Sequence, residues 1–310
     1  MVETNAMAEI RGIDIDKLAK GFADEEIKLK RFVQNSTTSA REIRWYKKTA
    51  GFLDSTDTTG ITASQIANVD FKSKPVSVEQ SWTRQTSYVR KYFVESPMIS
   101  SEDIKDSDID ILATNVRDLV RSVEHQVDKR IWDVISNGQS GVTALQTINY
   151  NAAVYPWDNE GSIQSGVNII EDLMKAKLNI RQDGYDPEGA VLLVDSQGHK
   201  NILTYLINIK GSSIPAFSSQ KVESGVVMEI LGLKVVVDEN IVPPALSANG
   251  FSGCALVMVP SRAATWKSFT PITSAVIEEP GIGSKIRVWE EGEAILTDPL
   301  AVDIIQNTRY

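Results

Sequence analysis

The chain has 310 residues, 42% apolar and 24% charged, long enough to bury a sizeable core and too apolar for a wholly disordered polypeptide. Its net charge of −9 excludes broad, tight coverage of nucleic acid, which needs clustered Lys and Arg. One cysteine, Cys254, excludes an internal disulfide or a thiolate metal cluster, and no run approaches the roughly 20 apolar residues of a membrane span, so no membrane partner is expected.

Residues 1–60 read as an N-terminal arm. Met1 to Ile27 carries seven acids against three bases, and Lys28 to Lys48 reverses this, with seven bases facing Glu42 alone. With the polar runs VQNSTTSARE and DSTDTTGITAS and one short helical pattern at Leu18, Phe22 and Ile27, the arm is expected to be solvated and mobile rather than a nucleic-acid site. Residues 61–97 are expected to form an extended loop. Within it, FKSKPVSVEQSWTRQTSYVRKYFVES is rich in Val, Thr, Ser and aromatic residues with partial alternation, which predicts two long strands. Such a polar ribbon is marginal alone in water and must lie on something else.

From Asp108 the period switches. Ile109, Leu112, Val116, Leu119, Val123, Val127, Ile131 and Val134 step by three or four, Ser107 with Asp110 suits a capping box, and Gly138 supplies a stop. This predicts one helix on the order of 40 Å long, a spine beneath a sheet. A second helix is expected from Ser162 to Gly184, with Ile163, Val167, Ile170 and Met174 on one face. There follow a strand at AVLLV, a short helix, a hairpin pair VVMEI and LKVVV around Leu231-Gly232, and a strand at ALVMV, an α/β succession. SAVIEEP, KIRVWEE, EAILT and AVDIIQN, divided by Pro280-Gly281, Gly292 and Pro299, are expected to pair as a final antiparallel sheet.

No enzyme and no cofactor emerge from the residues. VLLVDSQGHKNILTYL suggests a nucleophile elbow at Ser196, but Val stands at 194 where the elbow needs Gly, and the two histidines are His125, inside the predicted spine, and His199, three residues from the serine. Helix capping by Asp195 or Ser196 accounts for the stretch better. The two histidines, 74 residues apart, and the buried-looking Cys254 leave no zinc site, so no metal is expected. PGIGSK lacks phosphate-loop spacing and reads as a hairpin turn. Glu278-Glu279 and Glu290-Glu291 are adjacent pairs whose members point to opposite strand faces. Trp82, Trp132, Trp157, Trp266 and Trp289 read as core or interface aromatics.

The succession of arm, ribbon, spine helix, α/β block and returning strands resembles the major capsid proteins of tailed bacteriophages, of the Hong Kong 97 type. VLLVDSQGHKNIL, ILGLKVVVDENIVPP, GCALVMVPSRAATW and IRVWEEGEAILTDPLAVDIIQNT are similar, in this order, to that family's second-half elements. The resemblance implies an α+β capsid fold, with a peripheral domain from 98–150 and 271–310 holding the spine, and an axial domain at 151–270. It also implies self-assembly as hexamers and pentamers into an icosahedral virion shell around double-stranded DNA that is contacted weakly and without sequence specificity, formed in the host cytoplasm, with portal and scaffolding or decoration proteins as partners. The arm is short for a fused scaffold, so a separate scaffolding protein or none is expected. An encapsulin-like compartment is the alternative within the same fold, and a serine hydrolase the alternative outside it.

Charge suggests how copies meet. Lys72, Lys74, Arg84, Arg90 and Lys91 on the ribbon, around Trp82, are opposite in sign to Glu278, Glu279, Glu290, Glu291 and Glu293. These residues are expected to pair between adjacent subunits, fixing register more than adding affinity. Lys72, Lys74 and Asn307 fall in the regions where some family members cross-link, but no motif assigns that chemistry to them.

Overall fold

The computed structural model describes residues 28–50, 70–74, 81–102, 111–137, 149–153, 155–158, 167–206, 229–242 and 253–309. After a one-turn 3-10 helix at Leu29–Arg31 come strands β1 (Gln34–Thr37), β2 (Glu42–Ala50), β3 (Ser81–Tyr88), β4 (Arg90–Glu95) and β5 (Ile99–Ser100), then helix α1 (Ile111–Asn137) and β6 (Asn149–Ala152). Next are α2 (Ile169–Gln182), β7 (Val191–Val194), α3 (Ser196–Tyr205), β8 (Glu229–Ile230), β9 (Leu233–Val237) and β10 (Cys254–Met258). The long strands β11 (Ala264–Glu279) and β12 (Gly283–Leu296) precede a second 3-10 turn, Pro299–Ala301, and β13 (Val302–Gln306).

Two sheets carry the body. One has the order β1-β11-β12-β4, with β5 also on β12; β1 joins β11 in parallel and the other pairs are antiparallel. Pro271 sits in β11 within the register shift between Thr270 and Thr273, where a residue without an N–H costs the ladder little. The other sheet has the order β6-β13-β10-β7-β9-β8. Its central strand β7, VLLV, is buried throughout because both faces are covered, which explains an apolar run without alternation.

The α1 helix joins the two sheets. Val116, Val120 and Val123 pack with Ile286 and Val288 of β12, while Ile131 and Ile135 enter a second cluster with Leu193, Leu256 and Ile304 of the six-stranded sheet. Each such fully buried side chain contributes on the order of 1.5–3 kcal/mol. On the far face of that sheet, α2 and α3 place Leu173, Ile180 and Ile202 against Leu192, Val257 and Ile305.

Several expectations change. Residues 28–37 are not a solvated arm: Leu29 is fully buried, Val33 nearly so, and β1 pairs with β11. The ribbon is not folded from 61–97 alone. Its partner for β3 is β2, from the supposed arm, while β4 belongs to the body sheet. KIRVWEE and EAILT are one continuous strand, and AVDIIQN leaves that sheet to pair with β10 and β6. Asn168, not Ser162, caps α2, its side chain accepting from the Glu171 N–H. The buried face of α2 is Ile169, Leu173, Ala176 and Ile180, with Met174 57% exposed. Ser107, Asp110, Gly138, Ser162, Ile163 and the VVM of VVMEI lie outside the described residues, as does the short pattern at Leu18, Phe22 and Ile27.

Candidate assembly interface

Beneath the five-stranded sheet, α1 carries two carboxylates on its packed face. Glu124 and Asp128 each follow an apolar residue of the buried row, Val123 and Val127, and are 1% and 2% exposed. The Asp128 carboxylate accepts the backbone N–H groups of Lys28, Leu29 and Lys30 at 3.0, 3.2 and 3.2 Å, so it caps the first 3-10 turn and holds it on the spine. Lys30 Nζ then reaches Glu290 Oε1 at 2.5 Å and Glu124 Oε1 at 3.9 Å, and lies 5.6 Å from the Trp266 ring centroid. Trp266 Nε1 donates to the same Glu290 oxygen at 3.1 Å. Burial pushes the Glu124 carboxyl up to about 8 against the pull of Lys30, and burial pushes Asp128 up to about 6 against its three N–H donors.

A second ion cluster lies beside the first. The Arg130 guanidinium contacts Glu293 Oε1 and Asp133 Oδ2, both at 2.6 Å, and Arg90 contacts Glu293 Oε2 at 3.2 Å. Lys91 lies 3.3 Å from Glu291. The opposite charges expected to meet between subunits at Arg90, Lys91, Glu291 and Glu293 therefore meet within one chain. Pairing β4 with β12 sets Lys91 directly across from Glu291, a neighbourhood that sequence separation hides. Glu290 and Glu293 are fully buried and present no surface, whereas Glu291 is partly open.

The other predicted residues stay outside. Arg84, Lys72 and Lys74 are exposed, as are Glu278 and Glu279 beside Pro280-Gly281-Ile282, where PGIGSK turns the β11–β12 hairpin. Trp82 pairs with Lys48 in the β2–β3 ladder, and its side chain lies outside the described residues. The ribbon leaves Tyr46 and Tyr88 63% and 65% exposed and reaches the body near its base, where Ser87 Oγ donates to Glu293 at 3.4 Å. On the β4–β12 face turned away from α1, the Phe93 and Trp289 rings meet tilted at 47°, 6.4 Å between centroids, with Lys91 Nζ 5.3 Å from the Phe93 ring. Trp132, Trp157 and Trp266 are core residues, as expected.

At the opening of α3, Asp195 is the N-cap and its Oδ1 accepts from the Gly198 N–H at 2.6 Å. Ser196 Oγ donates to Glu239, and the cap at Asp195 is one of the two that the capping account offered. Sequence reading missed the interior network of Lys30, Glu124, Asp128 and Arg130. The available signal was two acids four residues apart, each one position beyond the apolar stripe of the spine.

The model of the family described as phage capsid protein matches residues 98–302, more than half of the chain. No curated protein sequence matches it. Among solved structures the chain is similar to the capsid of cyanophage P-SCSP1u, at 10% identity and TM-score 0.63 over 90% of this chain and 87% of that one. It is similar to the mature capsid of bacteriophage PhiM1, at 10% and 0.59 over 90% and 86%. It is also similar to a virus-like particle from Pyrococcus furiosus, at 11% and 0.56 over 96% and 99%. Fold likeness alone spans viral and virus-like shells, and the family match separates them: the chain belongs to the phage capsid protein family, as a structural shell protein with the Hong Kong 97 type of fold.

Proposed function

We propose that copies of this chain, as hexamers and pentamers, close an icosahedral shell around double-stranded DNA, each copy laying its β2–β3 ribbon across a neighbour. The observation that carries this reading is the ribbon itself. Two strands with exposed Tyr46 and Tyr88, which among the described residues meet their own body near the base, leave apolar surface that a second copy can cover. Hundreds of copies would repeat that contact. The docking face best suited to it is the Phe93 and Trp289 pair, aromatic and adjoining charges already paired in the chain.

Charge fixes the register. Lys72, Lys74 and Arg84, with Trp82 between them in sequence, are proposed to approach Glu278 and Glu279 of a neighbouring copy, since Arg90, Lys91, Glu290, Glu291 and Glu293 are engaged at home. Portal and scaffolding or decoration proteins complete the proposed partners, with assembly in the host cytoplasm and residence in the virion. The axial domain at 151–270 and the peripheral domain at 98–150 and 271–310 remain the proposed divisions, with β13 exchanged into the axial sheet by its pairing.

Expression of the full chain tests this. Size-exclusion chromatography and negative-stain microscopy are expected to show closed megadalton particles, and a discrete small oligomer would overturn the reading. Arg84→Glu is expected to yield misdirected or no particles, with closure restored when Glu278→Lys and Glu279→Lys are added. Normal shells from Arg84→Glu alone would remove that pairing.

A further inference from the structure

In the interior cluster of Lys30, Glu124 and Glu290, one ammonium meets two carboxyls. Lys30 Nζ stands 2.5 Å from Glu290 Oε1 and 3.9 Å from Glu124 Oε1, and the side chains of Lys30, Glu290 and Glu124 are 14%, 0% and 1% exposed. The two carboxyls also touch each other by a hydrogen bond, which requires a proton on one of them, and burial keeps that proton on Glu124 at neutral pH. Apart from that contact, both oxygens of Glu124 and Oε2 of Glu290 have no hydrogen-bond donor among the described residues. Trp266 Nε1 donates to Glu290 Oε1 at 3.1 Å, and the fully buried Trp266 packs on Tyr92 at 6.4 Å between ring centroids. Water is thus kept from an amine and a carboxyl already in contact, and an ion pair in such a place is costly to hold.

We propose that Lys30 and Glu290 condense to an amide within one chain, with Glu124 carrying the protons and the Trp266 N–H polarising the carbonyl. The bond joins no second copy and involves none of Lys72, Lys74 and Asn307. The Lys30 ammonium gives one proton to the Glu290 carboxylate by way of Glu124, which leaves a neutral amine facing a neutral carboxyl. The nitrogen lone pair adds to Cδ of Glu290 while the C=O pair moves onto Oε1, where the Trp266 N–H stabilises it. On collapse the Oε1 double bond re-forms and the Cδ–Oε2 bond breaks. Oε2, already bearing one hydrogen, takes a second from Glu124 and leaves as water past the partly open Lys30 side chain, and the added nitrogen returns a proton to Glu124. One ammonium and one carboxylate become one amide and one water, and Glu124 ends as it began. The product removes two opposite charges from the interior and ties the first 3-10 turn to β12 across 260 residues of sequence.

The intact mass of the full-length chain, measured after denaturation, tests the bond. The wild type is expected to be lighter than its sequence by the mass of one water, and Lys30→Arg to keep the full mass of its own sequence. Proteolysis followed by tandem mass spectrometry is expected to return one branched peptide joining Lys30 to Glu290. Glu124→Gln, with its fold checked by circular dichroism, is expected to slow formation by about 100-fold or more, as loss of a general acid and base does. A wild type that keeps its full mass, both freshly purified and after incubation at mildly alkaline pH, would overturn the proposal. Water loss that persists in Lys30→Arg, or a branch between other residues, would overturn it as well. Unchanged formation in Glu124→Gln would remove Glu124 as the proton carrier, and the mass and branch of the wild type decide the bond whether or not that variant folds. The readout needs no particles, so its failure leaves the shell reading standing, and a failure of shells to form leaves the bond standing.

Discussion

Glu124 is a carboxylic acid held in the interior between Lys30 and Glu290, and its proton sets how pH acts on the fold. Its folded value, raised by burial to about 8, lies above the ordinary 4.5, so the native state binds the extra proton between those limits. Its stabilising contribution is fully present below about pH 4.5 and is lost as pH rises through 8, and Asp128, raised to about 6, acts in the same direction over its own window. Denaturant midpoints are therefore expected to fall between pH 5 and pH 8, and Glu124→Gln to flatten that dependence. An equally steep decline in the variant would exclude Glu124 as its source. Arg130→Met removes the close partner of fully buried Glu293 and is expected to cost about 3–5 kcal/mol by chemical denaturation. Leu29→Ala, in the capped first turn, is expected to cost about 3 kcal/mol.

At the level of elements, the α1 spine was the most legible part of the fold, because a strict three-and-four step of Val and Ile has one helical solution. The ribbon was half legible. Residues around β3 carry strand composition, but nothing local says that the partner strand lies some 40 residues earlier, at β2, rather than beside it. Strand pairing over such distances is decided by burial in three dimensions. The α2 helix misled for a related reason: Ile170, Met174 and Leu178 form as regular an apolar stripe as Ile169, Leu173 and Ile180, and only the sheet selects the second. The β11–β12 pair contributes its own test. Gly292 faces the Trp266 ring so closely that a Cβ would overlap it, with the Lys267 carbonyl oxygen 2.9 Å away. Gly292→Ala is expected to displace Trp266, dim its near-ultraviolet circular dichroism band and loosen Glu290, while far-ultraviolet spectra remain close to wild type.

For the whole molecule, assembly and subunit stability separate. Tyr46→Ser with Tyr88→Ser alters two exposed positions of the ribbon, so the thermal midpoint of the unassembled chain is expected to hold while particle yield by light scattering drops at least several-fold. A fall in the midpoint with intact particle yield would reverse that assignment. The family likeness was readable from the order of elements, since apolar periods and turn residues survive in a chain only about 10% identical to shells of the same fold. The charge pairing was not readable beyond its signs. Lys91 and Glu291 are 200 residues apart, and which copy supplies the partner depends on the ladder between β4 and β12.

The sequence by itself determined the spine helix, a strand at AVLLV, a helix cap at Asp195 or Ser196, the hairpin turn at Pro280-Gly281 and the resemblance to a capsid protein, because each is written in local period or turn chemistry. Only the tertiary structure decided that residues 28–37 are part of the body, that β13 crosses to the second sheet, and that Glu290 and Glu293 of β12 are buried. The reason is common to all three. Charged and polar residues enter an interior only when a partner distant in sequence waits there, and Lys30, Asp128 and Arg130 are such partners.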